Sequence, residues 1–226
     1  MHGVARAFAV VVVLSTSLVA CRELLPSKKS QAGWDKPWFC HDLDCPRFTI
    51  KNTTTAYQTR EYQSEVWAVT HVDALLYSEA VAIGFKRLFN YIGGENEDHK
   101  KIAMTAPVAT KIVPGQGPFC KSHFTVAFYV PYALQDGPIQ PTNKDIQIVT
   151  IPKWTAFVYQ YGGFVVEDYS LFGKAKRLHE QLEEEGIEVN QENFIAASYD
   201  PPFRIQGRHN EVMLMASDSD ALSVLT

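Results

Sequence analysis

Cys40 and Cys45 stand with four residues between them in Trp38-Phe39-Cys40-His41-Asp42-Leu43-Asp44-Cys45-Pro46, and two chemistries suit that spacing. The thiols can close a small disulfide loop in an oxidising compartment. Alternatively, the thiolates could surround a metal together with His41 and Asp42. Zinc sites usually draw a second ligand pair from elsewhere, and no Cys-x-x-Cys or His-x-x-x-His follows. The disulfide is the better reading. Cys120 is then left odd and is expected to be a buried or shielded thiol. Asn52-Thr53-Thr54 is the single N-x-S/T sequon, which a secreted chain could glycosylate at Asn52.

Catalytic constellations are missing from the sequence. There is no Gly-x-Ser-x-Gly elbow, no Gly-x-Gly-x-x-Gly and no Walker loop, and the histidines lie in unrelated contexts. Acidic residues cluster only in solvated runs at 95–98 and 183–185, which gives a carboxylate-pair hydrolase no support. The chain is not read as an enzyme.

Any chemistry must instead be positioned by strands and two helices. Tyr57–Tyr62 and Val66–Val72 read as paired strands, rich in aromatic and β-branched residues. A helix follows, with Ser78 as N-cap and Gly93-Gly94 beyond its end. Val81, Phe85, Leu88, Phe89 and Ile92 form one apolar stripe along it. Further strands are expected at Ile102–Val113, His123–Val130, Ile146–Ile151 and Trp154–Tyr161. A second helix spans about Asp168–Glu185, and Phe194–Tyr199 and Glu211–Met215 close the chain. The order strand, strand, helix, strand, strand occurs twice. That pattern predicts an α+β domain, an antiparallel sheet or barrel flanked by two helices.

Composition sets the outer limits. The chain has 226 residues, 46% apolar and 20% charged, enough for a sizeable core and too little charge for a disordered chain. A formal charge of −4 argues against a nucleic-acid partner, which needs a basic face. Residues 1–21 read as a secretory signal: a weakly positive start, the apolar run Phe8–Leu14, then Leu18-Val19-Ala20-Cys21 for cleavage. LVAC also fits a bacterial lipoprotein box, and that alternative stays open. Beyond residue 20 no run of eighteen apolar residues occurs, so no membrane span is expected. The layout is a signal over 1–21, a loop segment over 22–56 carrying Cys40 and Cys45, a ligand-binding domain over 57–217 and a loose tail over 218–226. The product is expected to be secreted and extracellular.

Four segments carry a resemblance. Lys100-Lys101-Ile102-Ala103-Met104-Thr105-Ala106-Pro107-Val108 breaks a strand-like run with proline. Ser198-Tyr199-Asp200-Pro201-Pro202-Phe203-Arg204 is a rigid loop, and Arg208-His209-Asn210-Glu211-Val212 enters the last strand. With Asn90-Tyr91-Ile92-Gly93-Gly94-Glu95-Asn96 they resemble the SOUL family of heme-binding proteins, nearer to its SOUL branch than to the smaller cytosolic one. The resemblance implies a distorted antiparallel β-barrel of two pseudo-symmetric halves with two flanking helices. It also implies that heme or another tetrapyrrole is the ligand, held in an apolar groove between the first helix and the loop before the last strand. Here that groove would be lined by Val81, Phe85, Leu88 and Phe89 on one side and Pro202, Phe203 and Arg204 on the other. Lys86 and Arg87, with Arg204, are candidates to pair with propionates.

The sequence departs from the family in one place. The SOUL branch has Tyr-x-x-Arg-His-Tyr in its first strand, whose histidine is proposed as axial iron ligand. This chain reads Tyr57-Gln58-Thr59-Arg60-Glu61-Tyr62. A carboxylate is no strong substitute for imidazole, so no firm metal ligand is expected and His209 is the best-placed alternative. Two rival functions use the same groove, a protein-interaction module with a partner segment and a domain for a non-heme small molecule.

Overall fold

The computed structural model describes residues 34–117, 120–164 and 168–217. The expected signal over 1–21 and the tail over 218–226 lie outside them. Nine strands form one antiparallel sheet: β1 (Phe48–Thr53), β2 (Gln58–Tyr62), β3 (Glu65–Ala74), β4 (Val108–Val113), β5 (Ser122–Tyr129), β6 (Ile146–Ile151), β7 (Trp154–Tyr161), β8 (Phe194–Ser198) and β9 (Asn210–Met215). Helix α1 (Tyr77–Gly93) follows β3, and α2 (Asp168–Glu184) follows β7. The spatial order is β1-β2-β7-β9-β8-β4-β5-β3-β6. Exchanging β2 with β6, β3 with β7, β4 with β8 and β5 with β9 reverses that order, apart from β1. The two halves are thus related by a pseudo-twofold axis between β8 and β4.

Topology forces the sheet to curl. Tyr62 ends β2 and Glu65 begins β3, yet β2 and β3 are six strand positions apart. Flat, they would lie about 29 Å apart at about 4.8 Å per strand. The chain from Tyr62 to Glu65 reaches at most about 11 Å. Pro152-Lys153 imposes the same constraint between β6 and β7. The result is a half-barrel. It also corrects an expectation, because β2 and β3 do not pair: β2 lies between β1 and β7, and β3 between β5 and β6. The physical reason is that Gln63-Ser64 lacks the Asn-Gly or Gly-x signal of a tight hairpin and acts as a corner.

The convex face carries the helices. Leu88, Tyr91 and Ile92 of α1 pack on Ala68, Val126 and Phe128, while α2 places Leu171, Leu178 and Leu182 over Phe157, Val212 and Leu214. Gly84 permits the close approach of α1, since a Cβ there would fall 2.5 Å from Cγ2 of Val126. The α1 N-cap is Leu76 with no side-chain cap, so Ser78 sits inside the first turn rather than before it. At the other end, Gly94 takes φ 123° and Gly186 φ 72°, the left-handed stops expected from the sequence.

Two further boundaries differ from expectation. β4 begins only at Val108, after Pro107, because proline cannot donate to a ladder. Within the stretch read as loop, Phe48–Thr53 forms the edge strand β1, in register with β2. Its outward residues are polar except Ile50, which hides the alternation that marks a half-buried strand.

Candidate functional site

Two surfaces could hold a ligand. The first lies on α1. Phe85 and Phe89 stack with ring centroids 5.6 Å apart and 15° between planes, and Phe85 meets Phe128 edge-on. Phe89 is 53% exposed and Ile83 39%. Leu88 is wholly buried in the core, so it supports the shelf rather than lining it, and Val81 packs towards the other helix cluster. Lys86 is exposed beside Phe89. Arg87 is occupied: it bonds Thr70 Oγ1 and the His71 carbonyl and pairs with Asp145 at 3.1 Å, tying α1 to β3.

The β8–β9 loop supplies the other residues of the expected groove. Phe203 is 81% exposed and Pro202 is exposed, but no ring contact joins Phe203 to Phe85 or Phe89. The link between the two sides is indirect. Phe85, Met104 and Val108 pack against the same buried cluster, and Val108 pairs with Ser198, from which the loop departs. Arg204 turns towards the loop's own interior, its Nε 3.3 Å from Asp200 and its guanidinium beside His41.

The second surface is the concave face of the half-barrel, which the sequence did not disclose. At one end sits a buried polar cluster. Arg60, without exposure, grips Glu211 with two nitrogens at 2.9 and 3.1 Å. Tyr199 donates to Glu211 at 2.8 Å, and His209 Nε2 lies 2.8 Å from its other oxygen. Burial alone would raise the Glu211 pKa, but the His209 hydrogen bond and the Arg60 charge hold it below the ordinary value. Phe39, fixed by the Cys40–Cys45 disulfide next to it, stacks on His209 at 4.0 Å and 4°. His209 is therefore held flat under a phenyl ring with Nε2 on a carboxylate, and no edge of it faces α1.

Beyond this cluster the concave face holds a small apolar cleft of about 40 Å³. Its floor is a row of three alanines, Ala127, Ala109 and Ala197, paired across β5, β4 and β8. Trp67, Trp154 and Tyr62 also line it. Next along the strands lies a second row, His71, Thr125, Lys111 and Ile195, whose Lys111 also lines the cleft. Near the closed end Glu65 accepts hydrogen bonds from Arg47 N–H and Tyr129 Oη, and burial pushes its pKa up to about 7.

The remaining candidates fall as follows. Cys40 and Cys45 form the expected disulfide, with Cα atoms 6.1 Å apart. Cys120 is exposed rather than shielded, because the β4–β5 loop carries it away from the sheet. Asn52 is exposed on edge strand β1. Glu61 is paired with Lys153 and Lys51, each at 3.0 Å, and these partners lower its pKa. Among the described residues no cluster of three potential ligands could hold a metal ion, and no helix is long and apolar enough to cross a membrane.

Fold and site together define a two-repeat α+β half-barrel with helices outside and apolar surface on both faces. Solved structures share that fold: the EcmrR C-terminal domain matches with TM-score 0.51 and 13% identity over 70% of this chain and 96% of that one. EcmrR in its DNA complex matches with TM-score 0.56 and 13% identity, over 72% and 59%. The chain belongs to the SOUL heme-binding protein family, whose model matches residues 43–215. It is 33% identical to mouse heme-binding protein 2 over 74% of its own length and 81% of that protein. Human heme-binding protein 2 is 33% identical over 71% and 78%, and Xenopus laevis heme-binding protein 1 is 30% identical over 72% and 85%.

Proposed function

We propose that the chain is a secreted tetrapyrrole-binding protein, a carrier or scavenger of heme that holds its ligand on the α1 shelf without a strong axial ligand. The observation that carries this reading is the Phe85–Phe89 stack, with Phe89 exposed over a half-buried Phe85 and the exposed Lys86 three positions before Phe89, able to meet a propionate. Family membership points to the ligand. Phe203 and Pro202, exposed on the neighbouring loop, would supply the second side by closing towards the shelf.

The chemistry suits contact without ligation. Glu61 occupies the position of the family's candidate histidine and is already paired with two lysines. His41, His71, His123, His179 and His209 each engage another side chain through a ring nitrogen. Apolar contact contributes about 25 cal/mol per Å². Association entropy offsets much of that, so affinity on the order of micromolar is expected. The short disulfide loop and the exposed Asn52 sequon are consistent with an extracellular, glycosylated product.

Hemin titration of the chain lacking residues 1–21 tests the reading. A saturable Soret shift is expected, weakened roughly tenfold by Phe89→Ala and unchanged by Glu61→Ala, with protoporphyrin IX binding nearly as well as hemin. Loss of hemin but not protoporphyrin binding in His209→Ala would overturn it, because that pattern identifies an axial ligand.

A further inference from the structure

The half-barrel does not close, so its sheet ends on two edge strands, β1 and β6, and the two are built differently. An unpaired edge is a template for further strands, and proteins blunt it with charge, bulges or a covered backbone. β1 carries all of these. Lys51 stands mid-strand, the register against β2 shifts between Ile50 and Asn52, and the Asn52 side chain takes the Thr53 N–H at 2.9 Å. β6 carries none. Ile146-Gln147-Ile148-Val149-Thr150-Ile151 holds no charge, proline or glycine, and every residue but Gln147 is β-branched. It pairs with β3 along its whole length without a shift. Short uncharged strands of this composition readily pair with their own kind.

The register shows which backbone groups β6 leaves open. The Val66 N–H donates to Gln135 Oε1 and its carbonyl accepts from the Val130 N–H, so both point to the β5 side of β3, away from β6. Thr150 lies opposite Val66, in a non-hydrogen-bonded pair, so its own N–H and C=O point outward. By alternation those of Ile148 and Ile146 do too. The Ile146 N–H is taken by the Asn143 carbonyl at 3.1 Å. Among the described residues none bonds the outward groups of Ile148 and Thr150.

We propose that β6 is a self-association edge, pairing antiparallel with β6 of a second copy of this chain about a dyad at Val149. In that register Ile148 meets Thr150 of the second copy, the two exchange both N–H···O bonds, and the dyad repeats the exchange. Ile146 meets Pro152, which has no N–H, so the ladder ends there without stranding a donor. Asp145, just before the strand, meets Lys153, just after it, and opposite charges face each other at both ends. Each already has a partner within the chain, Asp145 on Arg87 and Lys153 on Glu61, but their side chains remain 60% and 57% exposed and can take a second. The pairing consumes the open edge of both copies and leaves the blunted β1 edges outside, so assembly stops at two. One strand pair buries less than the roughly 800 Å² per partner of a standard interface, so affinity on the order of micromolar is expected.

The proposal is independent of the tetrapyrrole reading, because hemin titration reports on the α1 shelf. Sedimentation velocity of the chain lacking residues 1–21, from about 1 to 200 µM, brackets such a dissociation constant. A monomer–dimer equilibrium is expected, with amide exchange at Ile148 and Thr150 slowing as the dimer forms. Thr150→Pro removes an outward donor and spares the β3 ladder, a change that edge strands tolerate. It should weaken the dimer at least about tenfold. Asp145→Lys should weaken it about threefold. Adding Lys153→Glu should restore it, although the double variant loses both ion pairs within the chain, so only contact between copies explains the recovery. A monomer at every concentration, the result also expected if residues 22–33 cover the edge within the chain, overturns the proposal. So does a dimer that Thr150→Pro leaves unchanged. Should Thr150→Pro fail to fold, the charge exchange decides alone.

Discussion

The two faces of one sheet solve the same packing problem in opposite ways. On the convex face Gly84 removes a side chain so that α1 can come down onto Val126, and every large residue beneath it is covered. On the concave face three alanines remove side chains and leave a small cleft of about 40 Å³ among the buried residues around them. Small residues therefore mean contact on one face and vacancy on the other. What differs is the covering element. A helix supplies its own apolar stripe, whereas the concave face is covered at one end only, by the 34–46 segment with Phe39 on His209.

Variants that disturb one face at a time can break or sharpen that contrast. The largest effect is expected at the covered end of the concave face. Glu211→Ala strands the buried Arg60 guanidinium and should cost about 3–5 kcal/mol in chemical denaturation. A loss below about 1 kcal/mol would mean that water reaches this cluster and that Phe39 is no effective cover.

The second effect is pH-dependent. Glu65 has a folded pKa of about 7, above its unfolded value of 4.5, so between those values the folded state holds a proton that the unfolded state has released. Stability should be highest below about pH 4.5 with respect to this group, fall by roughly 3 kcal/mol as pH rises through about 7, and level off above. Other groups superimpose their own slopes, so the measurement is the difference between wild type and Glu65→Gln. That difference should appear across pH 4.5–7 and be constant at higher pH.

The last two predictions add methyl groups to each face. Gly84→Ala would gain about 1 kcal/mol of helix propensity, yet its Cβ meets a β-branched side chain seated on a paired strand. Overpacking of about 1–3 kcal/mol should dominate, leaving the variant less stable by thermal melt. Ala109→Leu, by contrast, extends into the small cleft and should cost less stability than Gly84→Ala. A stabilising Gly84→Ala together with a strongly destabilising Ala109→Leu would reverse the contrast between the faces.

Much of the scaffold was legible because it rests on local periodicity. The α1 stripe, the left-handed glycines at 94 and 186, and strands β6 and β7 follow from side chains a few residues apart. Phe85 and Phe89 were legible for the same reason, as neighbours at i and i+4 on one helix. Less legible was β1, whose polar outward face masks its pairing. The pairing of β2 and β3 was misjudged because adjacency in sequence does not reveal a corner.

By itself, the sequence determined the α+β class, the two-fold repetition of elements, the family, the nearness of Cys40 to Cys45 and the absence of the family's histidine at Glu61. Each depends on residue identity or on spacing within a dozen positions. Only the tertiary structure decided that Arg60 would meet Glu211 across 151 positions, that Phe39 would cover His209, and that three unremarkable alanines would stand in one row. An alanine in a strand carries no mark of its neighbours. Whether it packs or leaves a vacancy depends on register between distant strands and on whether another element covers it, and both arise only when the sheet curls closed around its two short corners.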